Sequence, residues 1–224
     1  MLELLPILRR SGRRCLEVGC GDGVTGAALE SFGHTVELLD TDDWRDGRAR
    51  HLHFHCGDIC GGTRLTGGLF DVVFSYNTFE HLQDPHTALE EMVRILKPGG
   101  AVFLSFGPLF WSPWGLHAFE TLFVPYPQVL FSEDVVKEAL AVLGIRDLGR
   151  ERDALQPLNG WKSSDFERLW RDSGCSVENL ERVRNTSHLD ILLENPETVR
   201  GRNLSFDDLT VYGQQVVLVK RGTT

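Results

Sequence analysis

The chain has 224 residues, and its 32 acidic side chains against 23 basic ones give a formal net charge of −9. Single hydrophobic cores stop growing near ~250–300 residues, so this length fits one domain with room for additions. Hydrophobic residues at 42% and charged residues at 25% exclude a disordered chain, and the acidic balance disfavours a phosphate-tracking nucleic-acid binder, which carries a basic surplus.

No apolar run reaches the ~20 residues of a membrane span. The opening MLELLPILRR is too short for a secretory apolar region, and its arginines follow that stretch instead of preceding it; a cytoplasmic protein is expected. Five cysteines (Cys15, Cys20, Cys56, Cys60 and Cys175) are an odd number, which points to reduced thiols rather than a disulfide framework.

In chain order, Cys15–Val18 reads as a short strand running into glycines, Val24–Ser31 as a helix, and Thr35–Asp40 as a strand ending in an acid. His51–Cys56 and Phe70–Tyr76 read as the third and fourth strands. Over Thr87–Leu96, residues Leu89, Met92, Val93 and Leu96 fall on one face of an amphipathic helix. Lys97-Pro98-Gly99-Gly100 stops that helix, and Ala101–Phe106 follows as a fifth strand. This alternation implies a parallel sheet with helices on both faces. From Gly107 the rhythm breaks into an irregular, aromatic segment reaching Gly160, with a helix at Ser132–Leu143. Ser163–Ser173 is a further helix, with Ser163 or Ser164 as its N-cap. Val177–Val183 and Gln214–Lys220 are closing strands joined by a long polar connection.

The chemistry concentrates in Leu16-Glu17-Val18-Gly19-Cys20-Gly21-Asp22-Gly23. A strand delivers the chain to a glycine-rich turn and a helix leaves it. Glycines let backbone approach a ligand closely, and parallel sheets bind ligands beyond the carboxyl ends of their strands. Gly21, Gly23 and Gly26 also match G-x-G-x-x-G, the nicotinamide-dinucleotide fingerprint. Glu17 argues against that reading. An acid beside the turn repels a pyrophosphate and suits a cofactor carrying ammonium and sulfonium charges.

LEVGCGDG resembles the first motif of class I S-adenosylmethionine-dependent methyltransferases, type 11-like. Asp40 at the end of the second strand, Gly57-Asp58-Ile59 after the third, FDVVFSYNTFEHLQDP at the fourth and LKPGG before the fifth agree in order. The resemblance covers about Cys15–Phe106. It implies a Rossmann-like, three-layer α/β sandwich on a seven-stranded, mostly parallel sheet with an antiparallel last strand. It implies S-adenosylmethionine held by Glu17, Gly19, Gly21, Gly23, Asp40, Thr41, Asp58, Ile59, Tyr76 and Asn77. Residues 1–106 then form the cofactor-binding half of one domain, and the insertions 107–160 and 184–210 a substrate cap.

The reaction implied is methyl transfer to an oxygen or nitrogen of a small molecule, with natural products, sugars and envelope-glycan precursors as acceptor classes. A non-catalytic S-adenosylmethionine-binding module and a nicotinamide-dependent oxidoreductase stand as alternatives. The pair Glu80-His81 either acts on the acceptor, through His81, or braces its loop; His117 either reaches the acceptor or is structural. Trp111, Trp114 and Tyr126, with Phe119, either wall the acceptor or form the core of the insertion. His51, His53 and His55 alternate along a strand, with Cys56 on the opposite face, so no metal is expected there. Arg9, Arg10, Arg13 and Arg14 read as a solvated basic cluster. Only 14 residues precede Cys15, so either Met1–Leu8 forms a minimal closing helix or the Gly107–Phe131 segment closes the cofactor site. The N-P-P-[YF] tetrapeptide of nucleic-acid amino methylation does not follow Asn77, which makes nucleic acid an unexpected partner.

Overall fold

The computed structural model describes residue 1, residues 3–147 and residues 150–222. Its strands are β1 (Arg14–Val18), β2 (Thr35–Asp40), β3 (His53–Cys56), β4 (Phe70–Tyr76), β5 (Leu96–Phe106), β6 (Ile145–Asp147), β7 (Arg150–Arg152), β8 (Ser176–Arg184) and β9 (Val211–Val219). Seven of these form one sheet in the order β3-β2-β1-β4-β5-β9-β8, and β6 and β7 form a small separate ribbon. The β1–β2, β1–β4, β2–β3 and β4–β5 pairs are parallel. Only β9 is reversed, pairing antiparallel with both β5 and β8, as expected from the sequence.

The helices are α1 (Val24–Ser31), α2 (Pro85–Ile95), α3 (Pro127–Leu130), α4 (Glu133–Leu143), α5 (Ser163–Asp172), α6 (Leu189–Glu194) and α7 (Phe206–Thr210). On one sheet face, Leu89, Met92 and Ile95 of α2 and Phe166, Leu169 and Trp170 of α5 pack against Leu16, Val73, Leu104 and Val216. On the other, Leu29 of α1 and the leading Leu5 and Leu8 pack against Leu38, Phe74, Phe103 and Val217. Alternate strand residues thus serve opposite faces, and three layers result.

Several boundaries move for local physical reasons. Asp84 caps α2 by accepting the N–H groups of His86 and Thr87, and Pro85 takes the first turn, where it sacrifices no hydrogen bond. The helix ends at Ile95, so Leu96 opens β5 instead of extending the apolar face. Lys97–Gly100 belongs to β5, with Gly99 left-handed at φ 75°. The N-cap of α5 is Lys162, not a serine; its N–H donates to Asp165 Oδ2 at 3.0 Å. The third strand starts at His53 rather than His51. The long connection before β9 holds α6, a short 3-10 turn and α7. The leading segment forms a 3-10 turn at Pro6–Arg9 instead of a helix over Met1–Leu8; Leu2 lies outside the described residues, as do residues 148–149 within the first insertion. All five cysteines are unbonded, and among the described residues no helix is long and apolar enough to cross a membrane.

Candidate functional site

The parallel strands point their carboxyl ends at one rim, and the candidate residues gather there. Past β1, Gly19, Gly21 and Gly23 all take left-handed backbone, at φ 68°, 51° and 71°, which side chains other than glycine adopt at a cost. A Cβ at Gly19 would collide with the Thr78 side chain, whereas one at Gly21 would meet nothing within 4 Å. The turn is therefore pinched against the β4 loop at one glycine and open at the next. Thr78 Oγ1 donates to Tyr76 O at 2.9 Å and lies 3.3 Å from Gly19 O, tying the two loops together.

The acids of this end are held by backbone. Glu17, 3% exposed, accepts the Gly26 N–H at 2.8 Å, in the first turn of α1. Burial pushes its carboxyl up to about 8 against that bond, and Asp22 and Asp40 push the same way. Asp40 ends β2 and accepts the N–H groups of Gly21 and Thr41, each at 2.8 Å. Asp58 follows β3 and accepts the Cys60 N–H at 2.8 Å. The Ile59 side chain faces the core, so only its backbone is free to face the rim. Tyr76 is half-buried against Phe103. Asn77 is exposed and left-handed at φ 46°, and its N–H donates to Ser105 O at 2.9 Å. It borders a hollow of about 260 Å³ with Ser105, Gly107 and Tyr212.

Beyond β4 and β5 the chain brings three residues together from distant positions. One ligating atom from each of Glu80, His81 and His117 lies within 4.8 Å of the others. The two imidazoles meet edge to face, with centroids 4.9 Å apart. His81 Nδ1 bonds to Pro157 O and His117 Nε2 to Pro108 O, each at 2.8 Å. Burial lowers both histidines, and His117 falls to about 4. Glu80 is 2% exposed, and burial pushes it up to about 8. Its Oε1 accepts the Gly107 N–H at 3.1 Å; its Oε2 is buried with no partner. The Asn159 N–H donates to Glu80 O at 3.0 Å and its amide to Phe79 O at 2.9 Å, so the end of the first insertion straps the β4 loop. Glu80 was read from the sequence as a pair with His81, and the structure adds His117 to that pair.

The aromatic candidates divide. Tyr126 is fully buried, and its hydroxyl donates to Leu209 O at 2.9 Å; it joins the two insertions and presents no ring to a ligand. Trp111 and Trp114 are half-buried. Trp111 donates to Gly160 O at 3.0 Å, and Trp114 meets His188 edge to face. Phe119 is 45% exposed.

The histidine strand forms a second cluster. His51 bonds Glu30 and His55 bonds Glu37, both at 2.7 Å, and Glu37, His53 and His55 offer ligating atoms within 4.8 Å of one another. They border a hollow of about 600 Å³ with Arg14 and His34. Arg14 and Arg13, expected as solvated, pair with Glu37 and Asp71.

Residues 16–104 match a family model described as a methyltransferase domain. The ubiquinone biosynthesis O-methyltransferase of Pseudomonas aeruginosa is 31% identical over 103 residues, 42% of this chain and 44% of the relative. The chain thus spans under half the length of the curated relatives it matches. A SAM-dependent methyltransferase from Methanosarcina mazei superposes with a TM-score of 0.58 at 16% identity, over 98% of this chain and 99% of that one. A 4+2 cyclase superposes at 0.58 with 14% identity, over 99% of this chain and 78% of that one. At such identities the likeness is one of fold, and a fold does not by itself set the chemistry.

Proposed function

We propose that this chain, whose residues 16–104 match a methyltransferase-domain model, is a class I S-adenosylmethionine-dependent methyltransferase that transfers a methyl group to an oxygen or nitrogen of a small-molecule acceptor. Natural products, sugars and envelope-glycan precursors are the classes in view, and the O-methyltransferase relatives favour oxygen. The net charge of −9 favours a small molecule over nucleic acid. The observation that carries the reading is the shared rim. The glycine turn and Asp40 end β1 and β2, and Glu80, His81 and His117 stand beyond β4 and β5.

The rim residues fit the cofactor. The space at Gly21 is open; Glu17 accepts a bond from backbone, and Asp40 from backbone and the Thr41 hydroxyl. Asp40, which has no ion pair among the described residues, suits a molecule carrying positive charge. Asp40 and Thr41 would hold the ribose hydroxyls, Asp58 and the Ile59 backbone the adenine, and Glu17, Gly19, Gly21, Gly23, Tyr76 and Asn77 the amino-acid portion. S-adenosylmethionine, when bound, supplies a carbon already activated by a sulfonium. The protein's share is then orientation and exclusion of water. His81 and His117 act on the acceptor: each has one ring nitrogen committed to a backbone carbonyl and the other without a partner among the described residues. The insertions, joined through Tyr126 and Leu209, form the cap over them.

Calorimetry with S-adenosylmethionine, S-adenosylhomocysteine and NAD tests the cofactor, and release of S-adenosylhomocysteine with phenolic and sugar hydroxyl panels tests the reaction. Binding of the first two without NAD, plus acceptor-dependent release, is expected. Binding of NAD alone, or tight cofactor binding with no release for any acceptor, overturns the proposal.

A further inference from the structure

We propose that Glu80, His81 and His117 form a site for a divalent cation of the zinc type, which takes the acceptor's hydroxyl oxygen as a further ligand. The role of the cation rests on the methyl-transfer reading; its binding does not.

Two nitrogens and one carboxylate oxygen are a donor set that suits zinc and leaves a coordination position open. Here one ligating atom from each of the three residues lies within 4.8 Å of the others. A carbonyl oxygen only accepts hydrogen bonds, so Pro157 O fixes the proton of His81 on Nδ1 and Pro108 O fixes that of His117 on Nε2. In the neutral rings the lone pairs therefore sit on Nε2 of His81 and Nδ1 of His117, and neither atom has a partner among the described residues. Tying the far ring nitrogen to a carbonyl is how metal-binding histidines are held in tautomer and orientation. His117 is also held at φ 56°, a backbone state uncommon outside glycine and kept only where the surroundings enforce it.

Glu80 supplies the independent observation. Its Oε2 is buried with no partner, although Oε1 accepts the Gly107 N–H. Buried polar atoms are nearly always satisfied, and an exception calls for a missing ligand or ion. The Glu37–His53–His55 cluster has the same composition and the opposite condition. Arg14 occupies Glu37 Oε1 at 2.7 Å and His55 occupies Oε2 at 2.7 Å. That carboxylate is spent, and the Glu80 carboxylate is not.

The position suits an acceptor. Glu80 follows β4 and is bonded to the residue that follows β5, on the rim where the methyl group must be delivered. A hydroxyl bound to a divalent cation loses its proton more easily. That proton passes to solvent, the oxygen forms its bond to the methyl carbon, and the carbon–sulfur bond breaks with its electron pair on sulfur. No oxidant or reductant is needed.

The test uses the full chain, stripped with a chelator and titrated with zinc by calorimetry and with cobalt by visible absorption. One equivalent is expected to bind, with a tetrahedral or five-coordinate cobalt spectrum. Glu80→Gln and His117→Asn, which keep shape and tolerate left-handed backbone respectively, should weaken zinc at least tenfold. Their circular dichroism and S-adenosylhomocysteine affinity should stay within twofold of the parent, and His53→Ala should bind zinc normally. No binding of either metal, or binding lost in His53→Ala and kept in Glu80→Gln, overturns the site. Equal turnover with and without chelator overturns the acceptor role. Zinc bound as described with no methyl transfer to any acceptor upholds the site and overturns the proposed reaction instead.

Discussion

At the ends of β1, β2 and β3, each acid accepts a backbone N–H from its own neighbourhood: Glu17 from Gly26, Asp40 from Gly21 and Thr41, Asp58 from Cys60. At the ends of β4 and β5 the pattern reverses. Glu80 keeps one oxygen unpaired, and Ser112 Oγ and Gln128 Oε1 in the adjoining insertion are also buried without partners. The first end is organised before any ligand arrives. The second holds unsatisfied groups inside a packed insertion, which is costly unless something else completes them. Preorganisation at one end and unpaired groups at the other would suit the proposed reaction, in which one substrate is common to many enzymes and the other is not.

The sharpest way to break this contrast is His117→Asn. If the acceptor end carries the chemistry, turnover should fall roughly 100- to 1,000-fold, with cofactor affinity from calorimetry held within twofold. An equal loss of both would place His117 in the cofactor site. Asp40→Ala should do the reverse, weakening S-adenosylhomocysteine about 10- to 100-fold, the scale of one or two charge-assisted bonds. Normal affinity in that variant would dissolve the cofactor map.

Glu17 extends the comparison to pH. Between the ordinary glutamate value of ~4.3 and about 8, the folded chain holds a proton that the unfolded chain has released. Stability should therefore fall as pH rises through that window. Glu17→Gln keeps an oxygen for the Gly26 N–H and should make the fall in Tm from pH 5 to 8 shallower. Glu80, also raised to about 8, keeps the slope from vanishing. An unchanged slope would mean that Glu17 is not held protonated. Tyr126→Phe should have the smallest effect. It removes one buried bond to Leu209 O, a cost of ~1–3 kcal/mol read as a lower Tm. A drop in turnover at temperatures where the variant stays folded would return Tyr126 to the acceptor wall.

The glycine-turn end of the sheet was legible in sequence because its determinants are local. Gly19 through Gly26 set one turn, and Thr35–Asp40 places its acid by simple alternation. Helix α1 and strands β2 and β4 fall at their expected residues. The end that gathers Glu80, His81 and His117 was legible only as a set of names. His81 reaches Pro157, 76 positions away, and no periodicity encodes such a contact. Tyr126 illustrates the ambiguity of aromatic residues, since a wall and a core select the same ring, and here the core holds it. The N-cap of α5 was missed because Ser163 donates its own N–H to Asp208, at 3.1 Å, from another element.

One property of the sheet bears on how the chain assembles. β9, built from residues 211–219, lies inside the sheet between β5 and β8, not at its edge. Its partners Ala101–Phe106 wait more than a hundred residues for it. Loop closure over such separations is slow compared with local pairing. During synthesis β1–β5 can align early, while β8 has no neighbour to join until β9 arrives. The keystone is made late, so a chain cut short before residue 211 leaves β8 without a neighbour and one edge of β5 open, and quality control would meet an open sheet.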